Sequence, residues 1–456
     1  MSAILIQAAQ FLLSLSILII AHELGHFFFA RLFGIRCEKF FLFFNPYFSI
    51  LRFKKTLSGK KIKFFSSNKL PLESDNCEWG IGWIPLGGYV KIAGMIDESL
   101  DTEQMKKEPQ PWEFRSKPAW QRLLVMLGGV TVNFLLALLI YSAVFYKWGE
   151  TFIPFANACY GMEFSQTAKN IGFEDGDMFL KADTLPLTRL NEENFRKIVA
   201  AENITVLRGG DTAIVNMPED FVKQLLRDKK GFTNFRFPMV LRQTVAHSPA
   251  ERAGLMAGDS IVSINDTAVV SFSDCAAQFS AHKGQSVNLK FYRNGTRYHS
   301  VISPDSLGKI GAFIMSPQEI LGMQTIRYSF LKSIPMGIST GLKKLTGYVS
   351  DMQYLFTKEG SESIGGFVSI GGLFPPEWDW QAFWEMTAFL SIILAFMNIL
   401  PIPALDGGHV LFLLYEVITR RKPSTEFMIR AQTIGMFLLL ALLIYANGND
   451  LIRIFN

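Results

Sequence analysis

The sequence predicts a membrane protein with four α-helical spans and a large water-exposed part. Its 456 residues are 49% hydrophobic but also 19% charged, too apolar for an ordinary soluble protein and too charged for a purely membrane-embedded one. A fifth apolar stretch, Val410 to Ile418, is too short to cross a bilayer. The four stretches that are long enough are Ile4 to Ala21, Leu123 to Phe145, Phe383 to Leu400 and Met428 to Tyr445.

The distribution of positive charge predicts the orientation of these spans. Ten Lys and Arg residues and one acid, Glu38, lie between Arg31 and Lys69, and residues 420–430 are also basic. Because cytosolic loops carry such an excess, both loops are expected in the cytosol and residues 147–380 on the opposite side. The basic cluster adjoins a span, which favours contact with anionic membrane lipid over contact with nucleic acid.

The most specific chemical signal is His22-Glu23-Leu24-Gly25-His26, directly after the first apolar run. Each ionisable group within a membrane helix costs about 3 kcal/mol, so such a cluster needs a partner that offsets the cost. Residues four apart share one helix face, so His22 and His26 can bind one Zn²⁺ while Glu23 serves as general base. The alternative interpretation is a set of hydrogen-bonded polar residues in a helix bundle.

A catalytic zinc site needs a third protein ligand and an open position. The best candidate is Asp406, which follows the third apolar run in a segment with two prolines and two glycines. Prolines interrupt the helix and glycines allow close backbone approach, so the carboxylate can reach a polar cavity. His409 competes for this role but is expected to form a hydrogen bond nearby. The predicted cofactor is therefore one Zn²⁺ per chain.

Three motifs together resemble the site-2 protease family of intramembrane zinc metalloproteases, peptidase family M50. They are HELGH at residues 22–26, IGWIPLGGYVKIAGM at residues 81–95 and NILPIPALDGGH at residues 398–409. Their order along nearly the whole chain is similar to that of the bacterial RseP-type branch, whose members carry tandem PDZ domains.

The resemblance implies a role for each matched residue. His22, His26 and Asp406 are implied as zinc ligands, and Glu23 as the catalytic base. In the family, an asparagine at the position of Asn398 helps to hold the substrate backbone, and the prolines that precede the aspartate shape that segment. The matching prolines are Pro401 and Pro403.

Gly82 to Ala93 resembles the family's membrane-associated β-hairpin. A membrane-spanning substrate must unwind before cleavage, and a sheet edge that accepts another strand can replace the hydrogen bonds it loses. The alternative is a glycine-rich cytosolic turn. Asn45 to Glu78 is longer and more basic than the family's link and is expected to be a lineage-specific cytosolic element. The hairpin residues implied in substrate binding are Ile84, Gly87, Gly88 and Tyr89.

Residues 128–133 resemble the glycine and asparagine motif of the family's second span, although Val130 stands where many members have proline. The resemblance implies that Asn133 supports the active site. An interhelical hydrogen bond is the alternative role for this side chain.

The region between the second and third spans resembles two PDZ domains. Residues 247–265 match the PDZ pattern of a short helix, a tight turn and a strand after Gly-Asp, and alternating strands follow. Residues 165–182 repeat this pattern more weakly. The predicted domains are a membrane core at 1–149, PDZ domains at 150–231 and 232–305, an amphipathic connecting segment at 306–380 and a second membrane core at 381–456.

These observations predict a multi-pass zinc endopeptidase of the bacterial inner membrane that cuts single-span membrane proteins. By resemblance, its substrates are anti-sigma factors already shortened outside the cytosol, or remnant signal peptides. The active site is expected toward the cytosol, and the PDZ domains are expected in the periplasm, where they contact or filter substrate tails. The alternatives are a membrane-anchored protease with a cytosolic zinc domain and a catalytically silent PDZ receptor, which would tolerate loss of Glu23.

Overall fold

The structure is a computed structural model that describes residues 3–56, 59–66, 76–85, 87–95, 108–228, 231–355, 357, 360–361 and 364–455. The chain divides into two units. The first combines Met1–Gly149 with Arg327–Asn456, and the second is Glu150–Ile326. Both predicted membrane cores therefore lie in one unit, and residues 306–326 of the predicted connecting segment belong to the other.

The N-terminal part of the first unit consists of two long helices and a five-stranded sheet. Its elements are α1 (Ala3–Leu32), β1 (Cys37–Leu42), β2 (Ser49–Thr56), β3 (Gly59–Ser66), β4 (Glu78–Ile81), β5 (Tyr89–Ile92) and α2 (Ala119–Lys147). The strand order is β3-β2-β4-β1-β5. Strand β4 is parallel to β1, and the other neighbouring pairs are antiparallel.

The predicted hairpin at residues 82–93 is wrong. Among the described residues of that range only those of β5 form a strand, and β1 lies between β5 and β4 in the sheet. The expected separate element at residues 45–78 instead supplies strands to the same sheet, although residues 57, 58, 67–75 and 86 lie outside the described part. The local glycine-rich pattern could not reveal this arrangement, because the pairing partner of β5 comes from the chain directly after α1.

The second unit contains two β-rich modules, each with its own buried apolar core. Its elements are β6 (Glu150–Phe152), β7 (Met162–Phe164), α3 (Gln166–Asn170), β8 (Met178–Ala182), β9 (Leu185–Pro186), α4 (Glu192–Ala200), β10 (Asn203–Arg208), β11 (Asp211–Asn216), α5 (Phe221–Asp228), β12 (Thr233–Phe235), β13 (Leu241–Thr244), α6 (Pro249–Arg252), β14 (Ser260–Ile264), β15 (Thr267–Ala268), α7 (Phe272–Ala281), β16 (Val287–Arg293), β17 (Thr296–Ile302), β18 (Ala312–Ile314), α8 (Pro317–Leu321) and β19 (Gln324–Ile326). The modules have four-stranded sheets of order β11-β10-β8-β9 and β15-β14-β16-β17.

The second module extends beyond its predicted end at residue 305. Strand β18 pairs with β13, and Ile310 is part of the buried core of this module. A strand of three residues has too little alternation to be recognised from sequence, so its membership depends on the pairing.

A buried ion pair occurs in the same form in both modules. Arg208 donates from Nε and Nη2 to the carboxylate of Asp177, both at 2.7 Å, and Arg293 donates in the same way to Asp259 at 2.7 Å. Each guanidinium also donates to the carbonyl oxygen of a glycine five residues before its aspartate. Since both aspartates are buried, these bidentate pairs stabilise equivalent turns. The chain thus carries an internal structural repeat, which the weak sequence match at residues 165–182 had indicated.

The C-terminal part of the first unit is helical. Its elements are α9 (Phe330–Leu355), α10 (Phe367–Gly371), α11 (Trp380–Ile399), α12 (Asp406–Thr419) and α13 (Thr425–Phe455). Helix α9 packs on α2 through Gly337, whose missing Cβ would lie 2.2 Å from Ser142 Oγ, and through Gly341 next to Leu138. The segment predicted to connect the second unit to the third span therefore contains a long helix that packs on α2.

Four helices in the described part of the chain are long and apolar enough to cross a membrane, as predicted. They are α1, α2, α11 and α13. Helix α12, which contains the apolar stretch Val410 to Ile418, does not meet these criteria.

Helices α1 and α2 approach each other closely at a pair of glycines. A Cβ on Gly25 would lie 2.3 Å from the carbonyl oxygen of Gly128, and a Cβ on Gly128 would lie 2.6 Å from the carbonyl oxygen of Gly25. Only residues without a side chain allow two membrane helices to touch backbone to backbone in this way.

We expect Gly128→Ala to destabilise the protein by about 1–3 kcal/mol, since the added methyl must push the two helices apart. Gly448→Ala in α13 is the matched control, because a Cβ there meets nothing within 4 Å. Replacing glycine in a helix by alanine without a clash should leave stability equal or improve it by roughly 0.5–1 kcal/mol. Unfolding of the purified variants in detergent measures the difference. Equal stability of the two variants would contradict the close contact.

Candidate metal centre

Two residues of α1 and the first residue of α12 meet inside the first unit. His22 and His26 lie one turn apart on α1, and Asp406 begins α12. The distances from Asp406 Oδ2 to the Nε2 atoms of His22 and His26 are 3.1 and 3.2 Å, and the two Nε2 atoms are 3.2 Å apart. The structure therefore brings together the three residues that the sequence predicts as metal ligands.

The protonation of His26 follows from its surroundings. Its Nδ1 lies 2.8 Å from the carbonyl oxygen of Val125 in α2. A carbonyl oxygen only accepts hydrogen bonds, so Nδ1 carries a proton, and in the neutral imidazole Nε2 is the nitrogen with a lone pair for a metal. Asp406 Oδ2 is buried and has no hydrogen-bond partner of normal geometry among the described residues. The cluster thus contains electron pairs that a cation would satisfy.

The donor set and its spacing fit zinc. Two imidazole nitrogens and one carboxylate oxygen form a set found in catalytic zinc sites, which keep a fourth position open. Zinc bonds of about 2.0–2.1 Å at tetrahedral angles place ligand atoms roughly 3.3 Å apart, close to the 3.1–3.2 Å measured here. His22, His26 and Asp406 could therefore hold one zinc ion without rearrangement.

Helix α2 closes one side of the cluster. A Cβ on Gly129 would lie 2.5 Å from His26 Nε2 and 2.6 Å from His22 Cε1, so both imidazoles rest against the bare backbone at this position. Four residues further along α2, the amide of Asn133 lies 3.4 Å from His22 Nδ1. The amide oxygen Oδ1 of Asn133 is buried and has no partner among the described residues.

The turn between α11 and α12 positions Asp406. Glycines 407 and 408 let the start of α12 pack against the backbone of residues 399–403, because a Cβ on Gly407 would lie 2.0 Å from the carbonyl oxygen of Leu400. Pro403 in turn abuts α13, where a Cβ on Gly435 would lie 1.9 Å from its carbonyl oxygen. Pro403 thus packs against α13 in the turn that places the aspartate.

Two further contacts hold α12. Arg122 Nη2 of α2 donates to Glu416 Oε1 at 2.5 Å, and both side chains are largely buried. His409 is not part of the ligand cluster, because its Nε2 lies 2.6 Å from the side-chain amide of Gln432 in α13. Asp406 therefore lies with the two histidines of α1, and His409 forms a hydrogen bond with Gln432 beside them.

A cavity of about 830 Å³ adjoins the cluster. The Glu23 carboxylate lines it and faces the backbone N–H of Val90 in β5, the edge strand of the sheet. Among the residues predicted to bind substrate, Asn398, Gly87, Gly88 and Tyr89 line the cavity. Ile84, which forms a bridge with Phe44, and the two prolines of the turn are not among the lining residues.

Sequence reasoning identified Asn133 of α2 and Tyr89 of β5 but not the backbone contacts that these two elements make at the site. These contacts are made by main-chain groups, namely the carbonyl of Val125, the backbone of Gly129 and the N–H of Val90. The identity of a side chain does not indicate where its backbone groups will be used, so the sequence could not predict them. Gly25 in the HELGH motif and the glycine pair at residues 128 and 129 were the available signal, because small residues on membrane helices mark close helix contacts.

Comparison with known proteins agrees with this geometry. The family model described as Peptidase family M50 matches residues 10–442. The chain is 27% identical over 472 residues to the Regulator of sigma E protease of Haemophilus influenzae, with 98% of each chain covered. It is 26% identical over 471 residues to a Rickettsia conorii protein whose name describes a zinc metalloprotease, again with 98% of each chain covered. Metalloprotease MmpA of Caulobacter vibrioides is 22% identical over 493 residues, with 99% of this chain and 97% of the relative covered. The chain therefore belongs to peptidase family M50.

Proposed function

We propose that this chain is an intramembrane zinc endopeptidase that cuts single-span membrane proteins. The observation that carries the proposal is the convergence of His22, His26 and Asp406 within 3.1–3.2 Å, next to a cavity and on or beside helices able to span a membrane. Membership of a peptidase family and relatives named as zinc metalloproteases support the same function.

Glu23 is the proposed catalytic base. It is adjacent to His22 on α1 and lines the cavity, so it can take a proton from the attacking water and pass it to the leaving nitrogen. A zinc ion held by the three ligands supplies Lewis-acid polarisation of the scissile carbonyl. The N–H of Val90 beside the carboxylate helps to hold Glu23 in the cavity.

The outer edge of β5, on the side away from β1, is the proposed binding site for the unwound substrate. Among the described strands β5 pairs only with β1, and it lines the cavity. An extended segment added there would recover backbone hydrogen bonds lost on leaving its own helix. Gly88 keeps this edge close to α1, since a Cβ would lie 2.6 Å from Ile19. Asn398, across the cavity, would hold the substrate backbone through its amide.

Asn133 is proposed to hold His22 in its ligand orientation. If the Asn133 amide turns its partnerless Oδ1 toward His22, that oxygen can accept the Nδ1–H, and Nε2 then presents its lone pair to the cluster. The hydrogen bond from His26 to Val125 has the same effect on the other ligand. Both imidazoles would then be oriented from α2.

The proposed location is the bacterial inner membrane, with the basic loops at the cytosolic side and the second unit in the periplasm. The charge excess between Arg31 and Lys69 supports this orientation. The name Regulator of sigma E protease, carried by one relative, supports substrates of the anti-sigma factor type. Remnant signal peptides, which are also short single spans, are the second proposed substrate class.

The two modules of the second unit are proposed to be PDZ domains that contact or filter the periplasmic tails of substrates. The unit begins and ends in paired strands, with Glu150 opposite Ile326. A short linker can therefore replace the whole unit while the chain ends at Gly149 and Arg327 stay close together.

We expect Asp406→Asn to weaken zinc binding, because it removes the anionic ligand. Loss of a residue that only supports a ligand typically weakens metal binding by roughly 10–100-fold, and loss of the ligand itself should have a larger effect. Cleavage should be lost with the metal. His409→Gln is the matched control and should retain zinc, because His409 lies outside the ligand cluster. Metal analysis of the purified variants is the measurement. Full zinc content in Asp406→Asn would exclude this residue as a ligand.

Glu23→Gln should retain zinc and bind substrate but cleave it about 10²–10⁴-fold more slowly, since an amide cannot accept the proton of water. The assay is cleavage of a single-span model substrate in detergent, with zinc content determined on the same preparation. Cleavage at the wild-type rate would disprove the role of Glu23 and restore the alternative of a non-catalytic receptor.

Replacing Glu150–Ile326 by a short flexible linker should relax discrimination against substrates with bulky periplasmic domains without removing catalysis, because every proposed ligand lies in the first unit. Long-tailed and short-tailed forms of one substrate are compared with full-length and shortened enzyme. If the shortened enzyme keeps the same preference for the short tail, the part of the chain that excludes bulky substrates lies outside Glu150–Ile326. A shortened enzyme that keeps zinc but cuts neither form would show that the unit presents substrates.

A further inference from the structure

We propose that His409 is a second catalytic residue, which donates a hydrogen bond to the carbonyl oxygen of the peptide bond that is cut. The donor is the Nδ1–H group of a neutral imidazole, which Gln432 holds in one tautomer. The inference rests on the proposed function, since it assigns a further role within the same cavity.

His409 lies beside the ligand cluster without belonging to it. It follows Asp406 by three residues in α12, so the two side chains lie on the same face of that helix. It is close enough to Asp406 and His26 for their charges to act on its imidazole. His409 also lines the cavity that contains Glu23 and Asn398. A peptide bond bound next to the metal ligands would therefore lie within reach of this imidazole.

Gln432 of α13 determines which ring nitrogen of His409 carries the proton. The amide nitrogen Nε2 of Gln432 lies 2.6 Å from Nε2 of His409. An amide nitrogen only donates hydrogen bonds, so this imidazole nitrogen accepts and carries no proton. In the neutral imidazole the proton is then on Nδ1. Gln432 is itself buried, so water does not compete for the bond.

The Nδ1 atom of His409 is free to bind a substrate. Among the described residues only Nε2 of this imidazole has a hydrogen-bond partner. Nδ1 is not enclosed either, since the buried polar atoms without a partner in the described part of the chain belong to other residues. A donor that is neither satisfied nor enclosed faces open space, and His409 lines the cavity. The imidazole therefore offers one N–H group to whatever occupies the cavity.

This donor is held in place from α13 as well as from its own helix. Gln432 and Gly435 lie three residues apart in α13, and a Cβ on Gly435 would lie 1.9 Å from the carbonyl oxygen of Pro403. Helix α13 thus rests directly on the turn before α12, which keeps Gln432 next to the imidazole. A donor fixed in advance stabilises a developing charge well, because nothing has to reorient when the charge appears.

The proposed role follows from the charge that hydrolysis creates. When water adds to the carbonyl carbon, Glu23 takes one of its protons, and an electron pair of the C=O bond moves to the oxygen. The Nδ1–H group of His409 donates to that oxygen, and this hydrogen bond strengthens as the negative charge grows. The C–N bond then breaks, Glu23 passes its proton to the leaving nitrogen, and the carbonyl forms again in the new carboxyl group. His409 keeps its own proton throughout.

A purely structural role for His409 makes a different prediction. The residue would then matter only because its Nε2 atom joins α12 to α13 through Gln432. Asparagine carries its amide nitrogen on Cγ, as histidine carries Nδ1, and glutamine carries its amide nitrogen one atom further along, as histidine carries Nε2. Asparagine therefore replaces the proposed donor, and glutamine replaces the contact with Gln432.

The variants His409→Asn, His409→Gln and His409→Leu of the full chain in detergent test the proposal. Zinc content is measured first and should be retained in all three. The kcat for a single-span model substrate should fall about 10²–10³-fold in His409→Leu and His409→Gln, as on loss of one donor to a charged oxygen, with little change in KM. His409→Asn should keep most of the wild-type kcat. Binding of a phosphinic peptide, whose tetrahedral phosphorus carries a charged oxygen, should weaken in the same two variants.

Three results would overturn the role of His409. They are a wild-type rate in His409→Gln with a loss in His409→Asn, equal loss in His409→Asn and His409→Leu with zinc retained, and wild-type rates in all three variants. Loss of zinc from His409→Leu would also overturn it and assign the residue to the metal centre. Glu23→Gln in the same assay distinguishes these results from failure of the proposed function, which a wild-type chain without cleavage or an unimpaired Glu23→Gln would show.

Discussion

The contact between Gly25 of α1 and Gly128 of α2 is the interaction on which the metal centre depends. Because neither residue has a side chain, the two helices touch through their backbones, and α2 reaches both imidazoles with Gly129 and with the carbonyl of Val125. A larger residue at either glycine would withdraw these groups together. The HELGH motif therefore needs the main chain of α2 as well as the carboxylate of Asp406 to form the site.

The second constraint on the structure is that several unshared electron pairs meet at the metal centre. As a metal ligand His26 presents an unprotonated Nε2, and the carboxylate oxygen facing it is buried without a hydrogen-bond partner of normal geometry. Such a group is unfavourable in a helix bundle unless a cation satisfies it. Metal affinity and packing of the bundle should thus be coupled, because the bound ion would join α1 to α12. The buried pair of Arg122 and Glu416 joins α2 to α12 independently of the ion.

The five-stranded sheet links this centre to its surroundings. One edge strand, β5, lines the cavity beside the metal ligands, and the strand at the other edge, β3, carries the exposed side chains of Ile62 and Phe64. A protease that cuts an unwound membrane span needs a strand edge next to its metal ligands, and β5 is placed to meet this requirement.

The sequence by itself determined the membrane class, the four spans and the residues of the ligand cluster. These features are local patterns: long apolar runs, two histidines four residues apart, and an aspartate after two prolines. Their chemical meaning can be inferred without knowledge of the tertiary structure. Tertiary structure decided the sheet, where β1 and not a hairpin partner pairs with β5, and the true extent of the second module. It also decided which backbone groups complete the site. Strand pairing and main-chain contacts join residues far apart in the chain, so no local pattern encodes the partner.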